Sequence, residues 1–405
     1  MSKLNVPQLR FSEFSGEWKD NKLEKFSKIE RGRFSPRPRN NPIYYDGDIP
    51  FVQTSDVVKS KGRINNYTQT LNEKGLQVSK KFSKGTILIT IAANIGYAGV
   101  LEIDMACPDS LIGLTVNQDN LNIFVNYLLE IEQPRMDYLA VDNAQKNINI
   151  EFLKPYTFIL PTKPEQQKIA SFLTAVDSKI EQLTQKQMLL QDYKKGVMQK
   201  IFSQEIRFKA DDGSAFAEWE EKRLGEIATF SKGKGISKSD IDVDGSYECI
   251  RYGELYTHYS EVIQSIKSKT NLKKEDLIFS VSNDVIIPSS GETSLDIATA
   301  SCVMKDGIAL GGDLNIIKTK ENGIFLSYYM NNHLKTNIAR LSQGSSVIHL
   351  YQNHLSTLKL SLPCLEEQTK IATFLTSIDT KIDQNSKQLD QAKQFKKALL
   401  QQMFV

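Results

Sequence analysis

Basic side chains interleaved with aromatic residues and prolines are the clearest candidates for chemistry in this sequence. They fill residues 30–45, which read ERGRFSPRPRNNPIYY. Arginine forks suit phosphate groups and the edges of guanine, so one interpretation is a loop that contacts DNA. The alternative is a solvated basic loop, and this run alone leaves both open. The arginines in question are Arg31, Arg33, Arg37 and Arg39.

A second basic run in the corresponding place of the later half favours DNA. Residues 231–240, SKGKGISKSD, supply Lys232, Lys234 and Lys238. Charge is polarised in the first region, with fifteen Lys and Arg against seven Asp and Glu in residues 19–84, and three against nine in residues 85–160. Residues 222–274 and 275–345 repeat this polarity more weakly, with ten against seven and then five against eight. We therefore predict a DNA-contacting basic front on each region, which includes Lys80 and Lys81.

Motifs for an active site are missing. The sequence contains no GxxxxGK[ST] and no GxSxG, and its four histidines lack the spacing of metal ligands. The four cysteines lie far apart and form no CxxC, which argues against a disulfide framework or a zinc ribbon. We predict no catalytic residue, no metal site and no cofactor bound by this chain.

Length and composition point to a globular protein of two or more domains. The chain has 405 residues, of which 40% are hydrophobic and 24% charged. A net charge of +3 is too small to establish a nucleic-acid partner by itself. The first residues carry no apolar signal-peptide core, and no apolar run approaches the ~18 residues of a membrane span. We expect a cytoplasmic protein with no membrane association.

An internal repeat organises the chain. Residues 165–202 match residues 367–404 at 16 of 38 positions, at an offset of 202 and without a gap. Trp18 aligns with Trp219, Gly32 with Gly233, and residues 9–11 (LRF) resemble residues 206–208 (IRF). The simplest arrangement is a pseudo-two-fold ring in which the N-terminal segment meets the end of the last helix. The two regions between the repeats hardly resemble one another.

Each repeat has the heptad spacing of a coiled coil. Apolar residues recur at 4-3 spacing over five heptads, which predicts two long helices that pair along a seam. The main seam residues, which we also take as the interface with partners, are Ile169, Leu173, Val176, Ile180, Leu183, Ile371, Leu375, Ile378, Ile382 and Leu389.

Four polar residues interrupt this seam. We interpret Lys194 and Lys396 as long side chains that reach solvent. For Gln187 and Asn385 we leave two interpretations open, simple tolerance or selection of the helix register. Further apolar residues, among them Phe172, Met188, Leu189, Tyr193 and Phe395, lie off the seam. Two paired helices cannot bury all of them, so the flanking domains or another protein must cover some.

The regions between the helices read as α+β. Residues 86–91 and 276–282 are the clearest predicted strands, and residues 122–131 and 324–334 are predicted short helices. The predicted organisation is therefore a first domain (1–160), a first long helix (161–205), a second domain (206–362) and a second long helix (363–405). The helices would form a long antiparallel coiled coil that separates the two domains.

The two helix openings resemble a known family. Leu160-Pro161 followed by Glu165-Gln166 and Ile169-Ala170, and Leu362-Pro363 followed by Glu367-Gln368 and Ile371-Ala372, are similar to specificity subunits of type I restriction–modification systems. That family also tends to show a G-S-x-Q-x-x-I stretch before this motif. The stretch corresponds here to residues 144–148 and 344–350, so the resemblance adds Gln145, Lys146, Ser345 and His349 to the candidate DNA-binding residues.

The resemblance implies a DNA-reading subunit without catalysis of its own. Each region would be a target-recognition domain for one half of a split, asymmetric double-stranded DNA sequence, and the paired helices would dock two methyltransferase subunits. S-adenosylmethionine would belong to those subunits, and ATP and Mg to the restriction subunits of the same complex. The alternative is a coiled-coil scaffold whose variable domains bind proteins. A self-sufficient nuclease or methyltransferase fits less well, because the motifs for either are missing.

Overall fold

The chain divides into two compact units in the computed structural model, which describes residues 5–140, 147–344 and 347–405. The first unit takes residues up to Thr184 together with Gln388–Val405, and the second takes Gln185–Lys387. Each unit therefore contains one variable region, the half of the long helix that follows it, and the far half of the other long helix. The units cut across the four predicted segments because each helix is shared between them.

The variable region of the first unit is built on two sheets. A five-stranded sheet has the order β2-β10-β7-β8-β4, a four-stranded sheet the order β5-β3-β9-β6, and β1 pairs with β11. The strands are β1 Lys19–Lys22, β2 Ser27–Arg31, β3 Tyr45–Phe51, β4 Arg63–Ile64, β5 Gln69–Leu71, β6 Lys80–Phe82, β7 Ile87–Thr90, β8 Ala98–Leu101, β9 Met105–Cys107, β10 Leu111–Val116 and β11 Thr157–Leu160. The helices are α1 Leu23–Phe26, α2 Thr54–Lys59, α3 Glu73–Gln77, α4 Asn122–Leu139, α5 Ile150–Leu153 and the long α6 Lys163–Phe202.

The second region has the same plan. Its five-stranded sheet has the order β13-β21-β17-β19-β15, a smaller sheet the order β16-β14-β20, and β12 pairs with β23 and β18 with β22. The strands are β12 Glu220–Arg223, β13 Ala228–Lys232, β14 Tyr247–Ile250, β15 Val262–Ile263, β16 Ser268–Thr270, β17 Asp284–Pro288, β18 Ser290–Gly291, β19 Ser301–Val303, β20 Ala309–Leu310, β21 Leu314–Thr319, β22 Ile348–His349 and β23 Lys359–Leu362. The helices are α7 Leu224–Ile227, α8 Glu254–Thr257, α9 Ser294–Ile297, α10 Gly323–Asn332, α11 Lys335–Leu341, α12 Gln352–Leu355 and the long α13 Leu365–Gln402.

The predicted α+β class with a long antiparallel helix pair is confirmed, with two local corrections. The strand predicted at 276–282 is wrong, because residues 274–276 form a 3-10 turn and the buried strand is β17, Asp284–Pro288. The helix predicted at 122–131 continues through Pro134 to Leu139. The regions hardly match in sequence yet share one sheet order, because a buried sheet requires apolar strands and not particular residues.

Two aligned glycines hold the same position in the two sheets. Gly32 and Gly233 follow β2 and β13, and their backbone N–H groups donate to Leu111 and Leu314 at 2.8 and 3.1 Å. A Cβ atom at Gly32 would lie 2.1 Å from the carbonyl oxygen of Pro108, and one at Gly233 would lie 2.0 Å from that of Gly311. Any side chain there would push the chain away from the sheet, which explains why glycine occurs in both copies.

The long helices pair in antiparallel fashion inside each unit. In the first unit Lys396 lies 3.0 Å from Asp177, and in the second Asn385 Nδ2 donates to Gln187 Oε1 at 2.8 Å. The seam is buried at most predicted positions, with exposed fractions of 0–9% for Ile169, Leu173, Leu183, Ile371, Leu375, Ile378 and Leu389. Val176, Ile180 and Ile382 are partly buried.

The N-terminal segment meets the end of the last helix, as the repeat predicts. Leu9 donates its N–H to the carbonyl of Gln402 at 2.8 Å. The Trp18 ring lies 6.2 Å from that of Phe404, edge to face, and both join the core of the first unit with Phe124. In the described residues, no helix is long and apolar enough to cross a membrane.

Truncating Leu173 tests this packing. Leu173 is fully buried in the core of the first unit, so Leu173→Ala should lower the free energy of unfolding by about 2–5 kcal/mol through lost contacts and the cavity left behind. Chemical denaturation of the full chain measures this change. Ser171→Ala, an exposed position on the same helix, is the control and should change little. A neutral Leu173→Ala would mean that the seam is open to solvent.

Candidate nucleic-acid interface

The basic loop after β2 is tied to its own domain by its arginines. Arg31 Nε donates to the carbonyl of Asp109 at 2.6 Å, and the Arg39 guanidinium bridges both carboxylate oxygens of Asp109 at 2.8 and 2.9 Å. Arg33 donates to the carbonyls of Ser79 and Gln77 at 2.9 and 3.1 Å. These three arginines hold the loop in place, and all are exposed and can still face a ligand.

Arg37 has only local contacts. Its Nη1 donates to the carbonyl of Pro36 at 2.8 Å, and its side chain is exposed at the tip of the loop. Among the four predicted arginines it is the one held least by the fold.

An open cavity of about 610 Å³ lies beside this loop. Its walls include the buried ring of Phe34, the rings of Tyr45 and Tyr67, and the amides of Gln53 and Gln69. Aromatic faces stack on bases, and amides hydrogen-bond base edges, so this lining suits nucleic acid. Sequence reasoning missed Tyr67 and Gln69, because isolated polar residues in a short loop and strand carry no pattern.

Lys80 and Lys81 lie on β6, and each makes one ion pair with an acidic residue of the same domain. Lys80 Nζ lies 2.8 Å from Glu30, and this hydrogen bond lowers the pKa of that carboxyl. Lys81 Nζ lies 3.2 Å from Asp104. Both line a second open cavity of about 610 Å³, whose wall also carries Lys163.

The three candidate lysines of the second region differ in whether their ammonium groups already have partners within the domain. Lys234 Nζ donates to the carbonyl of Glu275 at 3.1 Å and lies 3.3 Å from Asp276. Lys232 and Lys238 are exposed, and within the described residues neither makes an ion pair. These two ammonium groups are therefore the more available cations of this loop.

Only part of each stretch that the resemblance singles out lies in the described residues. Gln145, Lys146 and Ser345 fall outside the described residues. The neighbouring Asn147 pairs with Ala92 after β7. His349 pairs with Ser290 after β17, and its exposed ring stacks on that of Tyr351 at 6.1 Å.

The described candidates for DNA binding thus fall on several strands and loops of each region. Their roles in DNA binding stay predictions. In the described part of the chain, no group of three or more His, Cys, Asp or Glu side chains could hold a metal ion.

The repeated Glu-Gln pair makes equivalent contacts in the first turn of each long helix. Glu165 is buried and accepts two hydrogen bonds from the guanidinium of Arg10 at 2.7 and 2.8 Å, and one from Trp18 Nε1 at 3.3 Å. Glu367 accepts the same set from Arg207, at 2.9 and 2.9 Å, and from Trp219 at 3.3 Å. These bonds raise the pKa of each arginine.

The adjacent glutamines connect each long helix to a helix of its domain. Gln166 accepts from the N–H of Leu121 at 2.9 Å and donates to the carbonyl of Pro161 at 3.0 Å. Gln368 accepts from Asn322 and donates to Pro363, both at 3.0 Å. Leu121 and Asn322 immediately precede α4 and α10, so one amide joins the start of the long helix to the start of the domain helix.

The seam lysines do not reach solvent, and that interpretation is wrong. Lys194 is only 14% exposed, and its Nζ lies 2.7 Å from Asp379 and 3.0 Å from Glu261. Burial alone would lower the pKa of Lys194, but the two carboxylates raise it above its ordinary value. Burial also raises the pKa of Asp379, and this outweighs the ammonium of Lys194 and the hydroxyl of Tyr328, which both lower it. Tyr328 donates its hydroxyl to Asp379 and lies beneath the ammonium.

The first unit repeats this cluster with its own residues. Lys396 is 15% exposed and lies 3.0 Å from Asp177 and 2.8 Å from Glu130, and Tyr127 donates to Asp177 at 2.6 Å. Each cluster joins both long helices to the domain of its unit. The carboxylate partners from the two domains, Glu130 and Glu261, lie at sequence distances from the lysines that no helical or heptad pattern reveals.

Comparison with known proteins identifies the family to which this chain is similar. Residues 15–191 and 217–394 each match the sequence model of the type I restriction modification DNA specificity domain. Two proteins of Methanocaldococcus jannaschii resemble the chain over most of its length. The MjaX type I restriction enzyme specificity subunit is 24% identical over 98% of this chain and 95% of its own, and the MjaIX specificity subunit is 23% identical over 88% and 86%.

Two solved structures share the fold. The S subunit of a type I restriction–modification system from M. genitalium superposes with a TM-score of 0.64, at 18% identity and over 99% of both chains. A chain from a study of complex assembly and conformational transition of the type I R-M system gives 0.53, at 15% identity over 95% and 96%. With a matching domain in each half, this chain belongs to the family of type I restriction–modification specificity subunits.

Proposed function

We propose that each variable domain reads one half of a bipartite, asymmetric target in double-stranded DNA. This proposal is supported by the sheets of the two domains, which have the same strand order although the two sequences hardly match. The orders are β2-β10-β7-β8-β4 and β13-β21-β17-β19-β15. Like scaffolds with unlike loops suit two different half-sites, since sequence is read by side chains in the grooves.

The long helices dock two methyltransferase subunits in this proposal. The repeated Glu-Gln and lysine clusters place equivalent helix segments beside each domain, which supports two equivalent positions for one partner. The chain itself is not catalytic. S-adenosylmethionine belongs to the methyltransferase subunits, and ATP and Mg belong to restriction subunits that join the same complex in the cytoplasm.

Co-expression with the methyltransferase subunit of the same system tests the function directly. Sequencing of the host DNA for modified adenines should reveal a split motif with a fixed spacer. Co-purification without any modification, and with no binding of the complex to duplex DNA, would leave the docking intact and remove the DNA-reading role. The alternative, a protein-binding scaffold, predicts no modification and no duplex binding.

Lys232 and Lys238 test the DNA-facing surface of the second domain. Because both are exposed and lack ion pairs in the described residues, each alanine substitution should weaken binding to all duplex sequences alike. Each should also lower the slope of log K against log salt by about 1, through one lost phosphate contact. Arg33 is a poorer probe, since its bonds to Ser79 and Gln77 also hold its loop.

Fluorescence anisotropy with a labelled duplex across a salt titration measures this slope. Lys320→Ala removes the same charge from an exposed position after β21, at the opposite end of the sheet, and should leave the slope unchanged. If all three variants gave the same slope of log K against log salt, the loop with Lys232 and Lys238 would not be part of the DNA interface.

A further inference from the structure

One strand in each domain ends in the same arrangement of backbone and carboxylate. In the first domain, shortly after β3, the N–H of Gln53 donates to the carboxylate of Asp56 at 2.8 Å. In the second domain, directly after β14, the N–H of Arg251 donates to the carboxylate of Glu254 at 2.9 Å. Gln53 and Arg251 therefore hold equivalent positions at the ends of equivalent strands.

Both carboxylates are buried and tied to the neighbouring strand. Asp56 is 7% exposed and also accepts from the N–H and the hydroxyl of Thr68, at 3.3 and 3.2 Å, just before β5. Glu254 is 3% exposed and also accepts from the hydroxyl of Ser268 in β16. Since β5 pairs with β3 and β16 with β14, the backbone is fixed in the same way in both domains. Only the side chain at this position differs.

One strand, β9, separates Gln53 from the basic loop of the first domain. The N–H of Val52 donates to the carbonyl of Ala106 at 3.0 Å, and the N–H of Arg33 donates to the carbonyl of Cys107 at 3.1 Å. Because adjacent strands lie about 4.8 Å apart, the backbone at Gln53 and this loop are roughly 10 Å apart. Gln53 lines the open cavity beside the loop.

The strand β20 holds the same place in the second domain. The N–H of Gly311 donates to the carbonyl of Ile250 at 2.9 Å, and the N–H of Lys234 donates to the last carbonyl of β20 at 3.0 Å. Arg251 exposes 26% of its side chain, and its Nη2 lies 3.7 Å from Glu254. Within the described residues its buried Nε has no hydrogen-bond partner. The guanidinium thus keeps donors for a ligand beside the basic loop.

The residue types at this position suit bases better than phosphates. Glutamine pairs with the N6 and N7 atoms of adenine in the major groove, and arginine pairs with the O6 and N7 atoms of guanine. A phosphate contact calls for a positive charge, which Gln53 does not carry. A fixed backbone that presents a different side chain in each domain is what two unlike half-sites require.

We propose that Gln53 reads an adenine in the half-site of the first domain, and that Arg251 reads a guanine in the half-site of the second. This inference rests on the proposed function and names two residues that determine its specificity. A bidentate pair of this kind should favour its own base by roughly 5- to 150-fold.

Exchange of the two side chains tests the inference in the complex with the methyltransferase subunit of the same system. Sequencing of modified adenines should show that Gln53→Arg changes one A·T pair of the first half-site to G·C and leaves the second half-site unchanged. Arg251→Gln should change one G·C pair of the second half-site to A·T and leave the first unchanged. Arg340→Gln removes the same charge from an exposed position on α11 and should change neither.

A binding measurement covers any variant complex that modifies no DNA. Fluorescence anisotropy compares duplexes in which each base pair of the half-sites is replaced in turn, and it should show the same exchange of preference. Arg251→Lys keeps the charge but loses the planar fork, so it should lose the preference for guanine and keep its salt dependence.

Two results would overturn the inference. One is an unchanged base preference in both exchange variants. The other is an Arg251→Gln complex that binds all duplexes more weakly and with a smaller salt slope, because Arg251 would then contact a phosphate. In either case a split motif from the unaltered chain would leave the proposed function intact. An unaltered chain that gives no split motif and binds no duplex would overturn both.

Discussion

Arg207→Ala is expected to destabilise the second unit by about 3–5 kcal/mol, because it removes one partner of a buried ion pair. The guanidinium donates twice to Glu367, whose side chain is fully buried and also accepts from Trp219. Removal of Arg207 leaves a buried carboxylate with one neutral donor, and desolvation of that charge is no longer compensated.

The same arginine supplies a matched control. Arg207 also lies 3.5 Å from Glu218, which is 92% exposed, so Glu218→Ala removes an ion pair that water screens and should cost at most about 1 kcal/mol. Chemical denaturation gives the two free energies, and hydrogen exchange shows whether the loss is confined to Gln185–Lys387. Equal effects from the two variants would mean that the Arg207–Glu367 contact is not what anchors α13.

A matched heptad insertion should change the length of the unread spacer and neither half-site. One heptad adds about 10 Å to a helix and almost two full turns. The residues after the insertion therefore face the partner helix as before, and the seam continues. The insertion must be made in both helices, after Thr184 and after Lys387, because α6 and α13 pair antiparallel and Gln187 bonds Asn385. At about 3.4 Å per base pair, the spacer should grow by up to three base pairs.

Sequencing of modified adenines in cells that express the variant reads the motif directly. The control is an insertion in α6 alone, which shifts one helix past the other, separates Gln187 from Asn385 and should abolish modification. An unchanged motif from the double insertion would show that helix length does not set the spacer.

Periodicity and the internal repeat determined the helical part of this protein from sequence. Heptad spacing is local information, and it placed α6, α13 and their seam. The internal repeat predicted the contact between the N-terminal segment and the end of α13. The repeated Glu-Gln pair and the tryptophans marked the positions that turned out to anchor the helices, although their partners were not predicted.

Only the tertiary structure decided which polar groups meet. Arg10 and Glu165 lie 155 residues apart, and Lys194 and Glu261 lie 67 apart, so neither pair leaves a trace in a local pattern. The common sheet order of the two regions was hidden for the same reason. Strand pairing depends on backbone hydrogen bonds and burial, which many sequences satisfy, whereas a heptad seam restricts residue types at fixed spacing.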